Sequence, residues 1–300
     1  MGGIAQNPTR HFSRSSPSKN HLSSGARTIA VLYHHEAMAT TTDFNGRWAL
    51  ITGASSGIGA ALARELAAHG AKLILTARRR DRLQALAAEL AAKGTETRIV
   101  VADLNDPSSP QQIFDATAGA GLVVDILVNN AGLGNFGAFW TSDAEQEFSS
   151  VRVNCEAVVR LSRLFIPPMV ERRRGWMLVV ASSASFQPLP YLSTYAATKV
   201  FDRFFALGVA AEVERFGVKV TALCPGTTES EFIQVAHAEQ FLNRNLQSAE
   251  DVARIAIHAL ARGQRTISPK LTSKLRSLLV RFLPLNLITG FVEKFARPKP

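Results

Sequence analysis

Residues 48–69 read Trp48-Ala-Leu-Ile-Thr-Gly-Ala-Ser-Ser-Gly-Ile-Gly-Ala-Ala-Leu-Ala-Arg-Glu-Leu-Ala-Ala-His69, and this stretch decides the fold. It opens with an apolar run typical of a buried strand, breaks into a glycine-rich turn, and continues into a segment of high helix propensity. The free N–H groups that open such a helix can face an anion. Strand, glycine turn and helix in this order therefore predict a phosphate-binding turn; a tight turn without a ligand is the alternative.

The three glycines of this turn have separate physical roles. Gly53 can take backbone angles that other residues avoid. Gly57 leaves room for a pyrophosphate to approach the backbone, and Gly59 lets the helix pack closely on the strand. These roles favour a dinucleotide as the ligand.

The strand predicted at 72–77 ends in Arg78-Arg79-Arg80. In dinucleotide-binding folds, an acidic residue about 20 positions beyond the glycines bonds the ribose 2′-hydroxyl, but here Ala77 and Arg78 stand at that corner. A guanidinium suits the 2′-phosphate of NADP. We therefore expect Arg78 to favour NADP over NAD, while a solvated basic helix start is the alternative for Arg79 and Arg80.

A second informative pair is Tyr195 and Lys199, which lie four positions apart in the run 191–199. On a helix, residues at this spacing share one face. An ammonium beside a phenol favours the phenolate, so the tyrosine can exchange a proton with a carbonyl oxygen or an alcohol. The pair alone is weak evidence, because the same spacing can simply pack a surface tyrosine on a lysine stem.

Six motifs in register resemble those of the short-chain dehydrogenase/reductase family over roughly residues 46–268. They are Thr52–Gly59 (TGxxxGxG), Asp103 in 101–104, Asn129–Gly132 (NNAG), Asn154, Tyr195 with Lys199 (YxxxK), and Pro225-Gly226. The resemblance implies an α/β fold with a doubly wound parallel sheet (Rossmann fold) in a single domain. It also implies hydride transfer between a nicotinamide cofactor and a carbonyl or secondary alcohol.

The resemblance further implies the catalytic roles. Tyr195 serves as the acid in reduction and the base in oxidation, and Lys199 supports it and bonds the nicotinamide ribose. Ser182, which lies 13 residues before the tyrosine, donates to the carbonyl oxygen, with Ser183 as the alternative. Asn154 holds a water that connects Lys199 to solvent. None of these positions suggests a metal or a covalent nucleophile.

The implied cofactor is NADP, with NAD less favoured, and the residues assigned to it come from all of these motifs. They are Gly53, Ser55, Ser56, Gly57, Ile58, Gly59, Arg78, Asp103, Leu104, Asn130, Ala131, Gly132, Tyr195, Lys199, Pro225, Gly226 and Thr228. Two positions depart from the family pattern. Ser56 stands where many NADP-preferring relatives carry Arg or Lys, and Ser230 stands where Thr is common, so the preference depends mainly on Arg78.

Apolar residues that follow these motifs are candidates for the substrate pocket. They are Phe136, Phe139, Trp140, Phe186, Leu189, Tyr191 and Phe232. Because ligand pockets are mostly apolar with few polar anchors, they favour a hydrophobic carbonyl substrate; packing under loops is the alternative.

The alternation of apolar and helical segments supports one catalytic domain at 46–268. Strands are predicted at 47–52, 72–77, 97–102, 124–128, 176–181, 218–223 and 265–268. Helices are predicted at 57–69, 79–93, 107–118, 143–173, 193–216 and 248–262. Pro167 and Pro168 should kink or end the fourth helix. By resemblance, the chain forms a homodimer or homotetramer through the helices at 143–173 and 193–216.

The net charge of +10 belongs to the two tails. Residues 1–37 carry +3 and residues 262–300 carry +8, which leaves −1 for residues 38–261. This distribution argues against nucleic-acid binding by the catalytic domain. The two cysteines, Cys155 and Cys224, fall in a predicted helix and a buried strand, so a structural disulfide between them is not expected. This fits a reducing compartment such as the cytoplasm.

The tails are predicted to be extensions of the domain. Residues 1–45 are expected to be disordered; an organelle transit peptide in 1–37 is the less favoured alternative. Residues 269–300 form a basic amphipathic helical extension, with Leu275, Leu278, Leu279, Phe282 and Leu283 at helical spacing. Docking over the substrate pocket is the preferred role for 270–300, and peripheral contact with an anionic membrane is the alternative.

The sequence leaves three functional hypotheses. The leading one is an NADP-dependent reductase or dehydrogenase acting on a hydrophobic substrate. A dinucleotide-binding scaffold or sensor without turnover is the second, and a membrane-peripheral lipid-ketone reductase is the third. The complete set of Ser182, Asn154, Tyr195 and Lys199 favours an enzyme over a scaffold.

Overall fold

The computed structural model describes residues 2, 44–229, 231–232, 236, 246–269, 280 and 282–297. The predicted N-terminal extension lies almost entirely outside these described residues. So do Ser230 and the leucine-rich part of the C-terminal extension at 270–279.

Seven parallel strands form one sheet in the order β3-β2-β1-β4-β5-β6-β7. All seven predicted strands are confirmed, with each end within one residue of its prediction. The strands are β1 Trp48–Thr52, β2 Lys72–Ala77, β3 Thr97–Val101, β4 Val124–Asn129, β5 Gly175–Val180, β6 Val218–Leu223 and β7 Thr266–Ile267.

Helices cover both faces of the sheet, which confirms the doubly wound α/β architecture. They are α1 Gly57–Ala68, α2 Arg80–Ala91, α3 Ser109–Asp115, α4 Ala144–Val151, α5 Ala157–Glu171, α6 Ser193–Val213, α7 Ala249–Arg262 and α8 Leu285–Ala296. Side chains alternate along each strand, so neighbouring strand residues enter different cores. Ile51 packs beneath α1, α2 and α7, while Leu50 packs beneath α3, α5 and α6.

The helix predicted at 107–118 is shorter than expected. The Thr117 hydroxyl donates to the Ile113 carbonyl at 2.6 Å, and the Thr117 N–H turns to the Phe114 carbonyl. A side chain that takes the carbonyl of the previous turn competes with the helical backbone bond, so α3 ends at Asp115.

The helix predicted at 143–173 is divided by a π-helical turn at Arg152–Glu156. The second part, α5, contains Pro167 and Pro168 and continues to Glu171, so of the two predicted effects of the prolines, a kink or an end, the end does not occur. Met169 on that last turn is fully buried and packs directly on Gly175 of β5. This packing holds the final turn on the sheet.

Candidate active site

A cavity of about 1030 Å³ opens beyond the carboxyl ends of the strands, where the strand order reverses between β1 and β4. Ligands of open α/β sheets bind at this switch point. Every residue that the sequence assigns to the cofactor borders the cavity, as does Ser182. Asn154 does not border the cavity and is fully buried.

The glycine turn fits a phosphate group. Gly53 has a left-handed backbone with φ of 66°, which only glycine adopts without strain. A Cβ on Gly59 would lie 2.2 Å from the Gly53 carbonyl oxygen, so any side chain there would force the helix away from the strand. The turn leads directly into the N-terminus of α1 at Gly57, whose backbone N–H groups suit an anion.

Thr52 and Asn130 fasten this turn to the neighbouring strand β4. The Thr52 hydroxyl accepts hydrogen bonds from the N–H groups of Asn130 and Ala131, both at 3.0 Å. In return, the Asn130 amide donates to the Thr52 carbonyl at 2.8 Å. The two motifs therefore act as one rigid floor beneath the predicted dinucleotide.

The arginine corner after β2 differs in detail from the prediction. Arg78 borders the cavity, but it is Arg79 whose guanidinium reaches the glycine turn, at 3.1 Å from the Ser55 hydroxyl and 3.0 Å from the Ser56 hydroxyl. The sequence left Arg79 open as a solvated helix start. Its contact with the turn could not be found from the sequence, because it depends on how α2 is oriented against α1.

Asp103 and Leu104 follow β3 and line the cavity. The Asp103 carboxylate accepts a hydrogen bond from the Asn105 N–H at 3.0 Å, which fixes the turn. Asp103, which the sequence assigns to the cofactor, thus lies just beyond the carboxyl end of β3.

Tyr195 and Lys199 lie on the first turns of α6 and both face the cavity. The Lys199 Nζ lies 5.9 Å from the centroid of the Tyr195 ring. Tyr195 also packs on Phe232, with ring centroids 5.0 Å apart. The spacing on the helix therefore gives the shared face that the sequence predicts.

Lys199 is a buried cation with a buried counter-ion. Its ammonium donates to the Val180 carbonyl at 2.8 Å and to the Asp202 carboxylate at 2.9 Å, and both charged side chains are at most 5% exposed. Burial has the largest single effect and opposes the charged form of Lys199, but Asp202 together with Tyr195 and Cys155 outweighs it, so the pKa of Lys199 is raised. An ammonium has three N–H donors, and these two bonds use two of them. Asp202 is not among the residues predicted from the sequence.

Ser182 lies at the end of β5, where its hydroxyl accepts a hydrogen bond from the Ala184 N–H at 3.1 Å. Ser183 also borders the cavity, and its N–H donates to the Pro225 carbonyl at 2.7 Å. Ser185 is buried and faces Cys224 instead. The cavity thus brings both Ser182 and its alternative Ser183 near the site.

Asn154 sits in the π-helical turn, a feature often found at functional sites. Its side-chain oxygen accepts from the Leu133 N–H at 2.8 Å. Its amide donates to the Leu133 carbonyl at 2.8 Å and to the Thr198 hydroxyl at 2.9 Å. Asn154 therefore ties the loop after β4 to α6, beside Lys199. Its side-chain bonds thereby help to position the site.

The segment after β6 closes one side of the cavity. Pro225, Gly226 and Thr228 all line it, and the Thr228 hydroxyl donates to the Gly226 carbonyl at 3.0 Å. The Gly226 N–H donates to the side-chain oxygen of Gln247 at 3.1 Å. The backbone of this turn is thereby held next to Ser182 and Ser183.

The predicted substrate residues are only partly placed at the cavity. Leu189 and Phe232 line it, whereas Phe139 and Trp140 are exposed outside it. The ring of Phe186 instead packs under the Arg203 guanidinium, and Phe136 packs near the ring of Tyr191. The prediction was wrong for five residues, because loop residues near a motif in sequence can still point away from its cavity. They are Phe136, Phe139, Trp140, Phe186 and Tyr191.

Helix α8 supplies an apolar wall of the cavity, in agreement with the predicted docking of the C-terminal extension over the substrate pocket. Its contributions are Leu287, Ile288, Phe291, Val292 and Phe295, joined by Val280 and Leu283 just before the helix. The Tyr191 hydroxyl anchors α8 by donating to the Glu293 carboxylate at 3.0 Å. The bond from Arg297 and then that from Tyr191 lower the pKa of Glu293, which keeps this anchor ionised at neutral pH.

Both cysteines are free. Burial raises the pKa of Cys155 to about 12 and that of Cys224 to about 11. Thiols this rarely ionised are poor nucleophiles, which fits a packing role.

Comparison with known proteins identifies the family of this site. The sequence profile described as short chain dehydrogenase matches residues 47–265. The very-long-chain 3-oxoacyl-CoA reductase of Mus musculus is 30% identical over 256 residues, covering 82% of this chain and 80% of that protein. The protein of the same name from Anas platyrhynchos is 34% identical over 187 residues; the match spans 60% of this chain but only 59% of the relative's own length.

Solved structures of the same family resemble this chain in fold. A short-chain dehydrogenase from Sphingobium yanoikuyae in complex with NADPH has a TM-score of 0.71 and 29% identity, covering 79% of this chain and 96% of its own. A short chain dehydrogenase/reductase from Burkholderia phymatum in complex with NAD has a TM-score of 0.74 and 25% identity, covering 79% and 93%. The glycine turn, the Tyr195–Lys199 pair and these matches lead to one conclusion: the chain belongs to the short-chain dehydrogenase/reductase family.

Proposed function

We propose that this chain is an NADP(H)-dependent reductase of a carbonyl group on a bulky apolar substrate. The observation that carries the proposal is the placement of Tyr195 and Lys199 in the same cavity as the glycine turn. The phosphate-binding end and the acid/base end are thus joined by one continuous space. The relatives that bind nicotinamide cofactors and act on 3-oxoacyl groups support it.

The proposed chemistry divides the work between cofactor and protein. The nicotinamide, when bound, supplies or accepts the hydride. Tyr195 transfers a proton to the substrate oxygen, and the buried Lys199 ammonium favours the phenolate that this leaves. Ser182 donates to the same oxygen as negative charge develops there. Asn154 holds the loop after β4 against α6, and it binds a water that connects Lys199 to solvent.

The preference for NADP is supported by the charge at the end of β2. Arg78 and Arg79 both border the cavity there, and Arg79 already contacts the serines of the glycine turn. A guanidinium pairs well with a phosphate, often through two parallel hydrogen bonds. The relatives do not decide the question, since one was solved with NADPH and another with NAD.

The apolar wall of α8 supports a long or bulky hydrophobic substrate. Leu287, Ile288 and Phe291 extend the cavity well beyond the catalytic pair, which a small polar carbonyl compound would not need. Since the relatives named above are very-long-chain 3-oxoacyl-CoA reductases, we place 3-oxoacyl thioesters first among the candidate substrates.

A panel of carbonyl compounds tests this function. The panel contains 3-oxoacyl thioesters of increasing chain length, a steroid ketone and a short polar ketone, and each is followed by the absorbance of NADPH and of NADH. We expect turnover with NADPH that improves with chain length. If the protein bound NADPH but oxidised it with none of the compounds in the panel, the result would instead support a dinucleotide-binding scaffold.

Membrane contact by α8 is proposed from the apolar side chains that this region leaves exposed. Phe282 is 80% exposed and Phe295 is 73% exposed, and Leu285 is also mostly exposed. The segment 262–300 carries a net charge of +8, which complements an anionic lipid surface. Among the described residues, no helix is long and apolar enough to cross a bilayer. We therefore propose peripheral attachment on the cytoplasmic side, which the two free cysteines support.

Sedimentation with vesicles of phosphatidylcholine and phosphatidylserine tests this attachment. Because burying one phenylalanine contributes about 1.5–3 kcal/mol, we expect the double variant Phe282→Ser/Phe295→Ser to bind at least about tenfold more weakly than the wild type. Val123→Ser is the control, since Val123 is exposed but lies before β4, at the opposite end of the sheet. Equal sedimentation of all three proteins would contradict the proposal.

Self-association as a homodimer or homotetramer is also proposed, through α6 and through α4 and α5, which together make up the predicted helix 143–173. Phe148 on α4 and Phe204 on α6 are more than half exposed. Three further exposed apolar side chains on these helices are Val151, Val159 and Phe201. Helices α4 and α6 are neighbours in the fold. Exposed apolar side chains on adjacent helices are typical of a homo-oligomer interface.

A further inference from the structure

Glu231 forms an ion-paired cluster at the arginine corner of the cavity. One of its carboxylate oxygens lies 2.8 Å from the Arg79 guanidinium, and the other lies 2.6 Å from the Arg82 guanidinium. Glu231 comes from the segment after β6, and it is 149 positions away from Arg82 in sequence. The contact therefore joins two distant parts of the chain across the edge of the cofactor cavity.

The position of this cluster is defined by Arg79. The same guanidinium nitrogen that pairs with Glu231 also contacts the hydroxyls of Ser55 and Ser56 in the glycine turn. The carboxyl end of β2, next to the glycine turn, is where doubly wound folds bind the ribose 2′ position of a dinucleotide. Glu231 itself borders the cavity. Its carboxylate thus points at the arginines that a 2′-phosphate would need.

A carboxylate and a phosphate bind guanidinium groups in the same way, so the two anions compete for one place. Two negative charges within a few ångströms also repel each other, so the carboxylate and a phosphate cannot both sit between Arg79 and Arg82. The bond from Arg79, followed by that from Arg82, lowers the pKa of Glu231, so the carboxylate is ionised at neutral pH. A ribose 2′-hydroxyl, by contrast, carries no charge and does not compete with the carboxylate for the guanidinium groups.

We propose that Glu231 is a specificity-determining residue that competes with the 2′-phosphate of NADP for Arg79 and Arg82. The proposal rests on the proposed function, because it concerns the cofactor of that same site. NADP binds only when its phosphate displaces the carboxylate from these arginines. Glu231 therefore lowers the affinity for NADP while it leaves the affinity for NAD unchanged, and the balance between the two cofactors depends on this side chain.

Isothermal titration of the full chain with NADP⁺, NAD⁺ and adenosine 2′,5′-bisphosphate tests the proposal without any turnover. Glu231 makes two partly exposed ion pairs, so we expect Glu231→Gln to bind NADP⁺ and adenosine 2′,5′-bisphosphate about fivefold to tenfold more tightly. Its affinity for NAD⁺ should stay the same. Glu229→Gln is the matched control, because it removes the same charge two residues away and should change neither affinity.

A double-mutant cycle locates the effect at the arginines. In an Arg79→Met background, we expect weaker NADP⁺ binding. The gain from Glu231→Gln should largely disappear there, because the Arg79 guanidinium for which the two anions compete is absent. An unchanged NADP⁺ affinity in Glu231→Gln would overturn the inference and leave the proposed function intact. Weaker NAD⁺ binding in Glu231→Gln would also overturn it, because Glu231 would then hold the ribose hydroxyl. If the wild type bound no dinucleotide, both the inference and the proposed function would fail.

Discussion

Tyr195→Phe should lower kcat for carbonyl reduction by about 10²–10⁴-fold, the usual contribution of a positioned general acid. The variant removes only the phenolic oxygen. The ring that remains can still pack on Phe232, 5.0 Å away between centroids, so the cavity should keep its shape. We therefore expect the loss to appear in kcat, while the dissociation constant for NADPH, measured by its fluorescence, stays near the wild-type value.

Tyr191→Phe is the matched control, since it removes the same hydroxyl four residues earlier in the same segment. That hydroxyl donates to Glu293 on α8 and does not border the cavity. We expect its kcat on a short ketone to stay close to that of the wild type. A Tyr195→Phe enzyme that reduces its best substrate at the full rate would show that another group supplies the proton.

Asp202→Asn should reduce the free energy of unfolding by about 3–5 kcal/mol, as expected when one partner of a buried ion pair is removed. Asp202 and Lys199 are 1% and 5% exposed, so water cannot replace the lost carboxylate around the ammonium. The amide of asparagine keeps the size of the side chain but not its charge. Urea denaturation followed by circular dichroism measures the loss directly.

Asp251→Asn provides the comparison for this second variant. Asp251 pairs with Arg254 on the surface of α7, where both side chains are more than half exposed, so its loss should cost less than about 1 kcal/mol. The double variant Lys199→Met/Asp202→Leu should recover much of the stability lost in Asp202→Asn, because it leaves no unpaired charge in the core. If Asp202→Asn unfolded at the same urea concentration as the wild type, Lys199 would not depend on this carboxylate for its charge.

Much of the site could be predicted from the sequence because its parts are local. The glycine turn is specified by a strand, three glycines and a helix that follow one another directly. The shared face of Tyr195 and Lys199 follows from the period of the helix alone. The strands of the sheet are recognisable as short apolar runs, and parallel strands bring their carboxyl ends to one edge, which is why every assigned cofactor residue borders one cavity.

What the sequence by itself determined is therefore the doubly wound fold, the family and the positions that face its cavity. Only the tertiary structure decided which groups surround those positions. It buried the pair of Lys199 and Asp202, which lie three positions apart on one helix, and it placed Glu231 on arginines that lie far away in sequence. The physical reason is that such contacts depend on how whole helices and loops pack against each other, whereas spacing within one segment constrains only its own backbone.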